Sequence, residues 1–177
     1  MIEIERKFRI TTDEKKRITA ILKKNQSLIK KNEQIDEVFL FEQNDFTNFV
    51  QGQAVLRLRE TDNRTLLTLK KTTNVNGDAL EYETEVSSAE KMRNILIEMG
   101  YRSVVKIHKA RLEAEINGMM VAVDHVYGLG DFLEIEIISK IQSDDLVKKI
   151  FDQAKKMGIK STKVETKKYD YLLLQRK

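Results

Sequence analysis

Cysteine is absent from the 177-residue sequence, and histidine occurs only twice, as His108 and His125. Without thiols the chain cannot form disulfides, thiolate metal sites or a cysteine nucleophile. Two imidazoles are also too few for a histidine-rich zinc site. These absences argue against disulfide scaffolds, cysteine enzymes and zinc enzymes of the histidine-rich kind.

Long apolar runs are missing as well. No stretch of the sequence approaches the roughly 20 apolar residues that a membrane-spanning helix needs, and its start lacks the apolar segment of a signal peptide. We therefore expect a cytoplasmic protein that has no membrane partner.

Length and charge narrow the class further. The 177 residues fit one domain, predicted to span 1–177, that can bury a core without disulfides. The net charge of +4 admits an anionic partner. Because 32 basic residues are interleaved with 28 acidic ones, and no basic stripe carries alternating aromatics, we do not expect that partner to be a nucleic acid.

Helical spacing of apolar residues is confined to three segments. It predicts helices over 12–29, 87–100 and 143–158. Ser87 is the predicted cap of the second helix, and Lys30–Lys31 continue the solvated face of the first. Between the helices we expect about eight strands, with turns at Asn76–Gly77 and Asn117–Gly118, in an α+β layout without repeats.

Charged residues occupy every second position at the start of the chain. In a strand, Glu3, Glu5 and Lys7 share one face. Two carboxylates about 7 Å apart repel by roughly 2 kcal/mol at an effective dielectric near 20. A metal ion or basic side chains usually offset such a repulsion, although a solvated face is the simpler interpretation for one isolated strand.

The same alternation of charged and apolar residues recurs along the chain, in segments 56–60, 67–70, 80–86, 109–116, 121–126 and 132–137. It is typical of strands with one apolar face. If the sheet closed with its charged faces inward, it would form a tunnel with acidic and basic walls. Periodicity alone does not distinguish such a tunnel from an open sheet with a salt-bridged solvent face.

The charged rows suggest a ligand. Paired carboxylates hold hard divalent cations such as Mg²⁺ or Mn²⁺, and rows of Arg and Lys hold phosphate oxygens. Together they predict a polyphosphate bound with its metal, for which positioning and charge neutralisation drive the chemistry. Glycine-rich phosphate loops are absent. A polar loop at 44–52 is of the kind that borders a site.

A series of ordered motifs resembles the CYTH family, the triphosphate tunnel metalloenzymes. The opening Glu3-Ile4-Glu5-Arg6-Lys7 is similar to the family's ExExK signature. Segments similar to its aLRiR, lTxK, K-x-R, lDxvxgLGxFxEiE and sYxxLL elements follow in order at 54–59, 67–70, 109–111, 123–136 and 168–173. The resemblance covers nearly the whole chain. It implies an eight-stranded antiparallel closed β-barrel (a tunnel) with helices packed outside, and Mg²⁺- or Mn²⁺-dependent work on a triphosphate.

Carried over position by position, the resemblance implies three groups of site residues. The metal ligands would be Glu3, Glu5, Glu134 and Glu136. The triphosphate contacts would be Lys7, Arg57, Arg59, Lys70, Lys109 and Arg111. The supporting acidic residues would be Glu83, Glu85 and Asp124, the last either supporting the metal or orienting a basic partner. The alternative for the basic rows is cross-strand salt bridging, which stabilises little when it is exposed.

Two positions depart from the family pattern. Glu81 stands where the family often has Arg. Either this strand makes no phosphate contact, or the alignment of the strand with the family motif is shifted by two residues. Lys168 stands where Ser is common. The general base is not assigned.

The reaction is less defined than the site. Residues 33–39, followed by Asp45-Phe46 and Gly52, resemble the cyclase-like branch, so we favour class IV adenylyl cyclase activity, which converts ATP to cyclic AMP and pyrophosphate. One alternative is hydrolysis of thiamine triphosphate or tripolyphosphate. Another is a nucleotide- or polyphosphate-binding module without turnover, which the acidic strands disfavour because a pure polyanion binder gains nothing from carboxylates. The oligomeric state, including a homodimer, is left open.

Overall fold

Eight β-strands dominate the computed structural model, which describes residues 1–24, 30–42, 54–61, 63–73 and 78–176. The elements follow one another as β1 (Ile2–Arg9), α1 (Thr12–Lys24), β2 (Lys30–Phe41), β3 (Ala54–Glu60), β4 (Thr65–Thr72), β5 (Ala79–Val86), α2 (Ala89–Glu98), β6 (Tyr101–Ile116), β7 (Met119–Val126), β8 (Gly130–Ser139), α3 (Asp144–Lys156), a 3₁₀ turn (Ser161–Lys163) and α4 (Tyr169–Leu174).

The strands hydrogen-bond in a closed antiparallel ring, in the order β1, β5, β4, β3, β2, β6, β7, β8. β1 closes the ring asymmetrically. Its whole length, from Ile2 to Arg9, pairs with β8, whereas in the described residues only Ile2 and Glu3 pair with β5. The predicted fold class, an α+β closed barrel with helices outside, is confirmed.

Strand alternation decides which side chains face the helices. On β3, Leu56 and Leu58 are buried outside the ring, in a cluster with Leu96 of α2. Arg57 and Arg59, between and after them, line the interior. Successive side chains of a strand point to opposite faces, so the apolar face of β3 packs against a helix while its arginines face the interior.

The main hydrophobic core therefore lies between the barrel wall and the helices. Its largest cluster joins Ile4 and Phe8 of β1 and Ile135 of β8 to Ile18 of α1 and Ile150 of α3. A second cluster packs α4 against one end of the barrel, around Tyr169 and Phe132. Because the core is outside the ring, the interior is available for charged groups.

The predicted first helix is too long. α1 ends at Lys24, and Lys30–Lys31, expected on its solvated face, instead begin β2. β2 pairs with β6 along its whole length, from Lys30 opposite Glu113 to Phe41 opposite Tyr101. This long pairing outweighs the local helical pattern, since tertiary contacts override propensity. Ile29 lies outside the described residues.

Other local predictions have mixed outcomes. The cap of α2 is Ser88, whose hydroxyl accepts from the backbone N–H of Lys91 at 3.2 Å, and not Ser87. The turn at Asn117–Gly118 is confirmed, with φ values of +54° and +73°. The turn at Asn76–Gly77 and the loop 44–52 lie outside the described residues. In the described part of the chain, no helix is long and apolar enough to cross a membrane.

We expect the outer core to set the stability of the fold. Ile135→Ala should lower the free energy of unfolding by about 2–5 kcal/mol, because Ile135 is fully buried between the barrel and its helices. Ile97→Ala, on an exposed position of α2, should change it by no more than about 0.5 kcal/mol. Denaturant unfolding measures both variants, and equal losses would show that the core lies elsewhere.

Candidate functional site

A cavity of about 900 Å³ occupies the interior of the ring. All the residues predicted to bind metal or triphosphate line it, together with Glu83. Asp124 is fully buried beside the lining residue Arg111. Glu85 is exposed and is not among the lining residues. The barrel thus brings the predicted site together, except for Glu85.

One wall of the cavity is acidic. β1 supplies Glu3 and Glu5, β5 supplies Glu81, and β8 supplies Glu136. Glu5 lies directly opposite Glu136 in the pairing of β1 with β8. The short seam between β1 and β5 brings Glu81 to the same wall. Four carboxylates from three strands therefore share one side of the cavity.

Lys70 of β4 lies at the centre of this acidic wall. Its Nζ is 2.5 Å from Glu3 Oε2, 2.6 Å from Glu81 Oε1 and 3.8 Å from Glu5 Oε2. Burial alone would lower the pKa of the Lys70 ammonium, but these carboxylates raise it above its ordinary value. Lys70, predicted as a triphosphate contact, contacts carboxylates here.

One ammonium does not compensate four carboxylates. Burial and the neighbouring Glu134 raise the pKa of Glu5 to about 7. Burial together with Glu3 and Glu5 raises the pKa of Glu136 to about 8. Lys70 therefore does not stabilise the ionised form of all four carboxylates, and an added cation would favour their ionisation.

The opposite wall is basic, and buried aspartates hold its side chains in place. Arg59 of β3 donates to both oxygens of Asp36 on β2, Nε at 2.6 Å and a terminal nitrogen at 2.8 Å. Asp36 is nearly inaccessible to solvent. Burial alone would raise the pKa of the Asp36 carboxyl, but Arg59 keeps it well below its usual range. This bidentate pair fixes the plane of the guanidinium.

Asp124 of β7 orients a second group. It accepts from Arg111 Nε at 2.7 Å and from a terminal nitrogen of Arg111 at 2.6 Å, and Lys109 Nζ lies 3.4 Å away. The hydroxyl of Tyr169, on α4, donates to the same carboxylate at 3.2 Å. Of its two predicted roles, the geometry favours orienting basic partners over supporting a metal.

Glu134 belongs to this basic group and not to the acidic wall. A terminal nitrogen of Arg111 donates to its carboxylate. Although Glu134 is buried, Arg111, Lys109 and Lys7 keep its pKa well below its usual range. The Glu134 carboxylate is thus engaged by a guanidinium in this structure. Its role as a metal ligand stays a prediction.

Arg57 and Lys7 are less fully engaged. Arg57 donates to Thr68 Oγ1 at 3.2 Å and lies 3.6 Å from Glu83. Its Nε is buried and has no hydrogen-bond partner among the described residues. Lys7 Nζ lies 4.3 Å from the centre of the Tyr169 ring. These donors are available to an anion in the cavity.

Sequence reasoning missed several residues of the site. Asp36 and Tyr169 hold the basic wall, and Glu81 contributes to the acidic one. Each lies within one of the segments singled out in the sequence, namely 33–39 for Asp36, 80–86 for Glu81 and 168–173 for Tyr169. Their roles depend on partners far along the chain, such as Arg59 for Asp36 and Asp124 for Tyr169. The departure at Glu81 has a simple explanation, because it faces Lys70 directly across β4 and β5.

The donors of the acidic wall fit a hard divalent cation by their chemistry. They are carboxylate oxygens only, which Mg²⁺ and Mn²⁺ prefer. In the described residues, however, no group of three or more His, Cys, Asp or Glu side chains is arranged to hold an ion. The oxygens of Glu3 and Glu81 are directed at Lys70. The residues that would hold a cation are Glu3, Glu5 and Glu136, which line the cavity.

Comparison with known proteins agrees with this architecture. Residues 1–169 match the CYTH domain family. The chain is 32% identical over 174 residues to "Putative adenylate cyclase MJ0240" of Methanocaldococcus jannaschii, which covers 96% of this chain and 97% of that protein. It is also 32% identical over 92 residues to adenylate cyclase CyaB of Aeromonas hydrophila, about half of each chain at 51% and 48%.

Solved structures share the fold. A conserved hypothetical protein of Pyrococcus furiosus superposes with a TM-score of 0.81 at 29% sequence identity, over 96% of this chain and 99% of that one. The PH1012 protein of Pyrococcus horikoshii superposes with a TM-score of 0.80 at 27% identity, over 96% and 98% of the two chains. With the family match spanning the ring and its charged interior, the chain belongs to the CYTH domain family.

Proposed function

We propose that this protein binds a triphosphate together with Mg²⁺ or Mn²⁺ inside the barrel and converts it chemically. The observation that carries the proposal is the presence of an acidic and a basic wall in one cavity. A polyanion and its metal together need both signs of charge, whereas a site for either alone needs one.

The basic wall suits the phosphate chain. Arg59 and Arg111 are each held by a bidentate aspartate, so their remaining N–H groups are oriented before a ligand arrives. Preorganised donors stabilise developing charge without reorganising during the reaction. Lys7, Arg57 and Lys109 also line the cavity and add positive charge to it. A bound metal ion would supply further neutralisation of phosphate charge.

The favoured reaction is that of a class IV adenylyl cyclase. The 3′-hydroxyl of ATP would attack the α-phosphorus, the bond to the β-phosphate oxygen would break, and cyclic AMP and pyrophosphate would form. Support comes from the relative named "Putative adenylate cyclase MJ0240", which aligns over 96% of this chain. It also comes from the size of the cavity, about 900 Å³, which falls in the range of sites for organic ligands.

An apolar section of the cavity also favours an organic substrate. Val38, Val55 and Ile107 line the cavity and belong to the cluster that packs beside α4. Inorganic tripolyphosphate has no apolar group to place there. Hydrolysis of an organic triphosphate such as thiamine triphosphate is the second reaction that this cavity accommodates, with water attacking the γ-phosphorus.

Product analysis tests the proposed reaction. The protein is incubated with α-labelled ATP, and in parallel with thiamine triphosphate and tripolyphosphate, under Mg²⁺ and under Mn²⁺. We expect cyclic AMP with an equal amount of pyrophosphate. Release of orthophosphate without cyclic AMP would contradict the cyclase assignment and show that the protein is a hydrolase. No product from any of the three would contradict an enzymatic role and favour a binding module.

Removing acidic ligands tests the metal. Glu3→Gln and Glu5→Gln should each lower metal-dependent turnover roughly 100-fold or more, because a bound metal contributes several kcal/mol of charge stabilisation. Metal-free binding of tripolyphosphate should be unchanged or tighter, since a negative charge is removed from the cavity. Titration calorimetry and turnover assays measure the two effects.

Glu115→Gln is the matched control for this pair. It removes the same charge from an exposed position of β6 that does not line the cavity, so turnover should stay within about twofold of the wild type. If Glu3→Gln and Glu5→Gln behaved like this control, the acidic wall would not bind the metal.

A further inference from the structure

A row of three side chains crosses the wall of the cavity from β3 to β5. Arg57 on β3 lies opposite Thr68 on β4, and Thr68 lies opposite Glu83 on β5. Residues that face each other across paired strands project to the same side of the sheet. Arg57 and Glu83 line the cavity, whereas Thr68 between them is fully buried and is not among the lining residues.

The hydroxyl of Thr68 links these two charged side chains by hydrogen bonds. A terminal nitrogen of Arg57 donates to Thr68 Oγ1 at 3.2 Å, and this hydroxyl donates to Glu83 Oε2 at 2.8 Å. A guanidinium has only donors and an ionised carboxylate has only acceptors, so the direction of both bonds is fixed. Thr68 is therefore a neutral group that stands between two opposite charges.

Arg57 is held differently from Arg59 and Arg111. Each of those two arginines lies opposite an aspartate in its strand pair and donates to both carboxylate oxygens. The residues opposite Arg57 on its two neighbouring strands are both uncharged. Glu83, one strand further away, lies 3.6 Å from a terminal nitrogen of Arg57, which is beyond hydrogen-bond length.

This arrangement leaves the guanidinium of Arg57 with uncommitted donors. Among the described residues it makes one hydrogen bond, to Thr68, and its Nε has no partner. A direct pair with Glu83 would occupy two parallel N–H groups, as arginine–carboxylate pairs frequently do. Because the Glu83 carboxylate accepts from Thr68 instead, those N–H groups are not bound to it.

We propose that Thr68 is a positioning residue for triphosphate binding. It separates Arg57 from Glu83, so that the guanidinium keeps N–H donors for phosphate oxygens, and it makes no contact with the ligand itself. The inference rests on the proposed function, because the ligand is the triphosphate of that same site. A buried hydroxyl needs hydrogen-bond partners in any fold, so this role has to be distinguished from simple stabilisation of the sheet.

Calorimetric titration with inorganic tripolyphosphate, without metal and at pH 7, tests the proposal. Thr68→Val keeps the shape of the side chain but lets Arg57 pair directly with Glu83, so binding should weaken roughly tenfold. Thr68→Ser keeps the hydroxyl and should bind within about threefold of the wild type. Thr84→Val, the matched control, makes the same change at an exposed position of β5 outside the lining and should bind like the wild type.

A double-mutant cycle with Glu83 separates positioning from a structural role. In the Glu83→Gln background no carboxylate is present to capture Arg57, so Thr68→Val should weaken binding by less than about threefold. A general loss of packing in the sheet would lower the affinity equally in both backgrounds. Glu83→Gln alone is the reference for the second background, so its own change in charge cancels. Thr68→Ala is measured in the same cycle, and the comparison therefore does not depend on one variant folding.

The outcomes distinguish the role of Thr68 from that of the site as a whole. A loss of affinity confined to the proteins that keep Glu83 would establish Thr68 as the group that separates the two charges. Wild-type affinity in Thr68→Val, or an equal loss in both backgrounds, would overturn the role of Thr68 while leaving the proposed function intact. Failure of the wild type itself to bind tripolyphosphate would overturn both.

Discussion

Charge neutralisation inside the ring is the constraint on which the rest of the structure depends. Buried charges are costly unless each is paired and hydrogen-bonded. Asp36 and Asp124, both nearly inaccessible to solvent, meet this requirement through bidentate arginines on the neighbouring strands. These pairs join β2 to β3 and β6 to β7, so the pairing of charges and the pairing of strands support each other.

Charge pairing is more complete on the basic wall than on the acidic wall, and the acidic wall is where we propose that the metal binds. The basic wall is held by its aspartates. In the described part of the chain, Lys70 is the cation that contacts the acidic wall, and the pKa values of Glu5 and Glu136 are still raised to about 7 and about 8. A triphosphate with its metal ion would supply the missing charges on both sides. Under the proposed function, the cavity would be complementary to the pair and not to either component alone.

The chain after α3 connects the cavity to the last helix, because residues 164–171 line the cavity. Tyr169 reaches the aspartate that orients Arg111, and Lys168 reaches β4 on the other side of the cavity. The last helix consequently contacts the cavity through two adjacent residues.

Local sequence determined the alternation of every strand that matters for the site. Because side chains of a strand point to opposite faces with a period of two, Arg57 and Arg59 could be assigned to one face and Leu56 and Leu58 to the other without a structure. The ordered motifs likewise predicted the ring and part of its charged lining, namely the residues expected to bind metal or triphosphate together with Glu83. Local sequence failed at Lys30–Lys31, which were predicted to be helical but begin β2, because this strand pairs with β6.

Tertiary structure alone decided how far along the barrel each charge lies and which charge it meets. Glu81, Glu83 and Glu85 share one face of β5, yet Glu81 contacts Lys70 and Glu85 lies outside the lining. The stagger between strands sets this position, and it depends on hydrogen bonding between segments far apart in sequence. The sequence by itself therefore determined which residues face inward, and the closure of the ring decided which of them meet.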